Sequence, residues 1–183
     1  NQIIYLDNNS STRVDPVVLE EMMPFLTTDY GNPSGSHRFG AKVKEATNLA
    51  HERLAALLGC EPNEVVFTSG GTESDNTALH SALQMSPERR HIVTTSVEHN
   101  AVLNYCEAFV RRGCAVTIVE VDEKGHLDLA ELERAIRPDT AVVSVMWANT
   151  ETGVIFHLAA IADLCRSKGF SFTPDPFRSL GQI

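Results

Sequence analysis

The sequence is short of positive charge. Its 183 residues hold 15 Lys and Arg against 24 Asp and Glu, a formal net charge of −9 at pH 7. That balance argues against nucleic acid or an anionic membrane surface as the main partner. No apolar run is long enough to cross a bilayer, and the N-terminus carries no secretory signal pattern. Cysteine is sparse: Cys60, Cys106, Cys114 and Cys165 are scattered, with no C-x-x-C spacing. This speaks against zinc and against a disulfide framework, and for the cytoplasm or another reducing compartment. There is no G-x-G-x-x-G after the first strand and no G-x-x-x-x-G-K-[ST] anywhere, so the usual nucleotide-binding signatures are missing. Repeats, low-complexity tracts and charge blocks are absent too. What is present, 43% apolar and 21% charged residues, is the composition of a globular domain with a full core.

From Glu64 onward, short apolar runs alternate with helical patterns. Val65–Thr68, His91–Thr95, Ala115–Val121, Ala141–Met146 and Phe170–Thr173 read as strands. Thr72–Leu83, Asn100–Arg112, Leu129–Ile136 and Leu158–Lys168 read as helices. The second helix carries an apolar stripe of Ala101, Val102, Tyr105, Cys106, Phe109 and Val110. Gly113 and Gly169 are suitable residues to follow helix ends. Such alternation predicts an α/β fold, a three-layer arrangement with a mainly parallel sheet and helices on both faces. The first sixty residues differ. Ile3–Leu6 reads as an edge strand, Asp15 and Pro16 open a helix running to about Leu26, and a polar, glycine-rich loop covers residues 31–36. A long helix from Ala41 to about Leu58 then stops at Gly59. The expected division is residues 1–62, packing on the large domain, and residues 63–183, the α/β domain itself.

Four loops carry polar residues that serve no evident structural purpose. They are Ser69–Thr72, Glu98-His99-Asn100, Asn149-Thr150-Glu151, and the region of Asp175. In parallel sheets, ligands gather beyond the carboxyl ends of the strands. Phe67 to Asn76 reads as a Gly-rich turn that opens a helix, and first-turn N–H groups with the helix dipole favour an anion. Gly70 and Gly71 allow close backbone approach, while Ser69 and Thr72 add hydroxyls. An ordinary βα turn with Thr72 as a cap is the plainer reading. His99 could stack on a planar ligand or move a proton, or simply cap a helix. Asp175 could hold a cationic ring nitrogen, or be an N-cap.

Several segments together carry a resemblance. They are Tyr5-Leu6-Asp7-Asn8-Asn9, Gly31-Asn32-Pro33-Ser34 with His37 and Gly40, and Phe67 through Asn76. Glu98-His99 with Ala101-Val102-Leu103 follows, then Val143-Ser144-Val145-Met146 with Asn149, Glu151 and Gly153. In this order they resemble the N-terminal part of the cysteine desulfurases and selenocysteine lyases, pyridoxal-phosphate enzymes of the aminotransferase class V group. The resemblance implies the large domain of a fold type I pyridoxal-phosphate enzyme. It implies that Gly71 and Thr72 bind the cofactor phosphate, and that His99 stacks on the ring and is catalytic. Asp175 would pair with the ring nitrogen, with Thr150 and Arg178 also at the cofactor. It further implies a cysteine or selenocysteine substrate, alanine as product, a role in sulfur transfer or iron–sulfur cluster assembly, a sulfur-acceptor protein and a homodimer.

The chain departs from the family at several points. Thr150 stands where the family has an asparagine, in N-N-E. Thr173-Pro174-Asp175-Pro176-Phe177-Arg178 replaces H-T-D-A-x-Q, so Arg178 brings a permanent charge to a glutamine position. The family's Schiff-base lysine sits in an S-x-H-K segment, and Lys42, Lys44, Lys124 and Lys168 all lie in other contexts. The expectation is therefore a chain holding the phosphate- and ring-binding half, inactive alone and associating with a C-terminal half. The alternative is a diverged, non-catalytic module that binds pyridoxal phosphate or a protein partner.

Overall fold

The computed structural model describes residues 3–6, 8 and 11–175, with residues 174 and 175 described through their backbone. The chain divides into two compact units, Asn1–Phe67 and Thr68–Ile183.

In the first unit, helix α1 (Pro16–Thr27) starts as the sequence predicts. Val17 N–H donates to Asp15 Oδ1 at 2.8 Å, and Pro16 occupies the first helical position, where its missing N–H costs nothing. Helix α2 (Arg38–Leu58) begins ahead of the expected Ala41, because His37 supplies the cap: Gly40 N–H donates to its Nδ1 at 3.0 Å. The helix stops at Gly59, whose φ of 70° is left-handed and suits glycine. The polar loop before α2 is ordered by an Asx turn, with Ser34 N–H donating to Asn32 Oδ1 at 2.9 Å. It lies so close to the first turn of α2 that a Cβ on Gly40 would clash with the Asn32 carbonyl oxygen.

Two expected strands are not formed. Ile3–Leu6 and Val65–Thr68 take no regular secondary structure and join no ladder among the described residues. β-branched residues favour extension, but a strand also needs a partner to take its backbone bonds. With none present, Ile3, Leu6 and Val66 are 91%, 85% and 73% exposed.

The second unit follows the predicted alternation: helix α3 (Gly71–Met85), strand β1 (His91–Thr95), helix α4 (Asn100–Arg111), strand β2 (Ala115–Val119), helix α5 (Leu129–Ala135), strand β3 (Thr140–Met146), helix α6 (Leu158–Lys168) and strand β4 (Ser171–Asp175). The strands form one sheet in the order β2-β1-β3-β4, every pairing parallel. β2 is shorter than the expected Ala115–Val121, and β4 reaches Asp175 through Pro174. Proline is tolerated there because β4 is an edge strand among the described residues.

Alternation along the strands builds two cores. Ile92 and Val142 pack with Leu79 and Leu83 of α3 and Val102 and Cys106 of α4. Val93, Val143 and Val145 face the other way, against Leu132 of α5 and Ile161 and Cys165 of α6. Leu79, Ile92, Leu132 and Ile161 are at most 1% exposed, and each contributes about 1.5–3 kcal/mol by burial. The apolar stripe of α4 buries Ala101, Val102 and Cys106, while Val110 stays half-exposed.

At the amino edge of the sheet, the fully buried His91 bridges three strands. Its Nδ1 lies 2.8 Å from Thr140 Oγ1 on β3, and its Nε2 lies 2.8 Å from Thr117 Oγ1 on β2. Burial lowers its pKa, Arg137 adds to the shift, and Asp139 opposes it. The folded state therefore prefers neutral His91, and its contribution is complete above the unfolded-state value of about 6.5. Urea midpoints should fall as pH drops below about 6.5, and fall less steeply in His91→Gln; equal slopes would refute the assignment. In the first unit, Gly40→Ala should destabilise by about 1–3 kcal/mol through the clash with Asn32, read as a lower melting temperature.

Candidate functional site

In a parallel sheet, helices run back against the strands, so α3 and α4 both point their N-termini at the carboxyl edge. Thr95, Met146 and Asp175 end β1, β3 and β4 at that same edge, with Met146 and Asp175 paired in register. Loops leaving β1 and β3 fill the space beyond.

Helix α3 opens on Gly70, and no side chain caps its first turn. Gly71 and Thr72 are its first two residues, Thr72 being exposed. Glu73 accepts from both the backbone N–H and the Oγ of Ser69, each at 2.6 Å. Those bonds, the hydroxyl first, hold the exposed Glu73 carboxyl below its ordinary range. The Ser69 hydroxyl, expected to add a donor for an anion, is thus committed to Glu73. Thr68 Oγ1 lies 2.6 Å from Ser74 Oγ and closes the turn from the other side.

The β1–α4 loop is tied down at both ends. Ser96 N–H donates to the Val119 carbonyl at 3.0 Å. His99 caps α4, its Nδ1 accepting Ala101 N–H at 3.1 Å, and its ring is half-buried. The helix-capping reading of His99 holds, and it leaves Nε2 as the second polar atom of the ring. Between these lies Glu98, 6% exposed. Its Oε1 accepts from Thr95 Oγ1 at 3.1 Å and from Met146 N–H at 2.7 Å.

The β3 exit turn is organised by Asn149. Its Oδ1 accepts from Glu151 N–H, Thr152 N–H and Thr152 Oγ1 at 3.0, 2.8 and 3.1 Å, while its Nδ2 donates to the Val97 carbonyl at 3.1 Å. Thr150 is exposed on this turn. The fold thus brings Gly71, Thr72, His99, Thr150 and the backbone of Asp175 to one edge of the sheet. Arg178 lies outside the described residues.

Glu98 and Asn149 lay within the candidate loops without an assigned role. Their signals were a carboxylate three residues past an apolar strand, and an asparagine opening an N-T-E-T-G turn. Beneath the loop, the buried Cys106 thiol is pushed up to about 12, by burial first and then by the charge of Glu98.

These features define an α/β domain that presents helix N-termini and strand ends at a single edge. Residues 4–183 match the model of the aminotransferase class-V family, and the chain belongs to that family. It is 48% identical over 181 residues to a cysteine desulfurase of Nostoc sp., covering 99% of this chain and 45% of that protein. It is 45% identical to cysteine desulfurase NifS of Azotobacter vinelandii, covering 98% of this chain and 45% of that protein. Among solved structures, a NifS-like protein superposes with a TM-score of 0.88 at 37% identity, over 91% of this chain and 47% of the other. A structure described as SspA in complex with cysteine gives 0.86 at 33% identity, over 91% and 48%. The chain spans about half the length of the curated relatives it matches.

The thiols offer a direct check on the packing beneath the site. In native protein at pH 8, iodoacetamide should modify the partly exposed Cys60 and leave Cys106 untouched until urea unfolds the domain. Peptide mass mapping that found Cys106 labelled as fast as Cys60 would refute this burial.

Proposed function

We propose that this chain carries the phosphate- and ring-binding part of a pyridoxal-phosphate-dependent cysteine desulfurase. Cysteine or selenocysteine would be the substrate and alanine the product, with sulfur passed on for transfer or iron–sulfur cluster assembly. The observation that carries this reading is the convergence, at one sheet edge, of the uncapped start of α3, the half-buried His99 ring and the end of β4. The relatives named cysteine desulfurase, and the similar structure described in complex with cysteine, support the same substrate class.

The residues fit the cofactor on chemical grounds. A phosphate monoester suits a helix N-terminus with an adjoining hydroxyl and no capping side chain. Gly71 and Thr72 would hold it. His99 would lie against the flat ring. Because Nδ1 accepts Ala101 N–H, neutral His99 carries its proton on Nε2, which would face the ligand as a hydrogen-bond donor. Asp175 would pair with a protonated ring nitrogen, Thr150 would stand near the cofactor, and Arg178 would stand near the phenolate oxygen and favour its charged form. Pyridoxal phosphate, when bound, supplies an electron sink for the amino-acid substrate.

The reading also calls for a Schiff-base lysine. Lys42 pairs with Asp29 at 2.6 Å and Lys168 with Glu133 at 2.9 Å. Lys44 lies in α2, and Lys124 in the turn after β2. None stands in an S-x-H-K context, so in this reading a homodimer or a C-terminal half completes the site, and a sulfur-acceptor protein takes the product sulfur.

The test is a titration with pyridoxal phosphate, followed by borohydride reduction and mass spectrometry. Specific binding is expected without an adduct on Lys42, Lys44, Lys124 or Lys168. Asp175→Ala should weaken binding by about 10- to 150-fold, the loss of a charge-assisted hydrogen bond of about 1.5–3 kcal/mol. A specific adduct on one of those lysines would overturn the lysine assignment. Absence of binding would favour a protein-interaction role instead.

A further inference from the structure

We propose that Glu98 and Asn149 are positioning residues that latch the loop bearing His99 to the loop bearing Thr150. The two loops leave different strands, β1 and β3, and nothing in local sequence fixes their spacing. Two hydrogen bonds of opposite direction cross between them. From the first loop, the Glu98 carboxylate accepts the N–H of Met146, the last residue of β3 and the partner of Asp175 in the β4 register. From the second loop, the Asn149 amide donates to the carbonyl of Val97, one residue before Glu98.

Burial makes both contacts consequential. Glu98 is 6% exposed and Asn149 is 8% exposed. A buried carboxylate is costly unless donors meet it, and Glu98 Oε1 meets two, Thr95 Oγ1 and Met146 N–H. Asn149 divides its side chain: Oδ1 shapes its own turn through Glu151 and Thr152, and Nδ2 reaches across. The latch therefore sets the separation of His99, Thr150 and the β4 end before any ligand arrives, which lowers the ordering cost of binding. The ligand in question is the pyridoxal phosphate of the reading above; the latch itself rests on the hydrogen bonds alone.

Asn149→Asp keeps the oxygen that organises the turn, removes the amide that donates to the Val97 carbonyl and to Met146 Sδ, and sets an acidic oxygen against that carbonyl in its place. Glu98→Ala removes the other link, and Glu98→Gln retains an oxygen able to accept from Met146 N–H. Hydrogen exchange followed by mass spectrometry should show amides of residues 97–101 and 147–152 exchanging about tenfold faster in Asn149→Asp and Glu98→Ala, with recovery in Glu98→Gln. Affinity for pyridoxal phosphate should fall about tenfold in Asn149→Asp, with a shift in the absorbance of the bound cofactor. Unchanged exchange in Asn149→Asp would overturn the latch, and that variant decides alone if Glu98→Ala fails to fold. If exchange responds while wild-type protein binds no pyridoxal phosphate, the latch stands and the cofactor reading fails.

Discussion

Strands β1 and β3 are buried along their whole length, and both faces of each are covered by helices. Parallel strands can be covered this way only if each connection crosses back over the sheet as a helix. The N-terminus of every crossover helix then lies at the carboxyl edge. Site geometry follows from that single constraint. α3, α4 and the ends of β1, β3 and β4 meet at one edge because the core admits no other packing for these apolar runs. At the opposite edge, His91 joins three strands through two threonine hydroxyls and holds their amino ends together.

Near the carboxyl edge, two carboxylates are met by donors. Glu98 faces the Met146 N–H and the Thr95 hydroxyl; Glu73 faces the Ser69 backbone and hydroxyl. The two differ in consequence. Exposed Glu73 is screened by water and occupies the dipole-favoured start of α3. Buried Glu98 acts in a low dielectric, where its charge reaches the Cys106 thiol and helps to suppress ionisation there. A cysteine in that setting is a packing residue, not a nucleophile.

Local signals that name a conformation were readable residue by residue. Asp15 with Pro16, Gly59 and Gly169 mark helix boundaries through capping and left-handed φ, which depend only on neighbours in the chain. His37 was harder, because its role as the cap of α2 depends on the ring reaching Gly40 N–H. Val65–Thr68 and Ile3–Leu6 misled for a related reason. β-branched residues specify extension, whereas a strand is a property of two segments, and the described residues supply no second one.

The candidate site divides along the same line. Sequence alone determined the α/β class, a helix opening at Thr72, one residue inside its observed start, and the placement of His99 beyond an apolar strand; Asp175, expected just past a strand, is the last residue of β4. Period, capping and turn chemistry act over a few residues and are written locally. Short-range hydrogen bonds commit Ser69 to Glu73 and His99 Nδ1 to Ala101 N–H, but only tertiary structure decided that Glu98 and Asn149 join two loops. Those two links rest on contacts between residues about fifty positions apart, and they exist only once the sheet has brought the strand ends together.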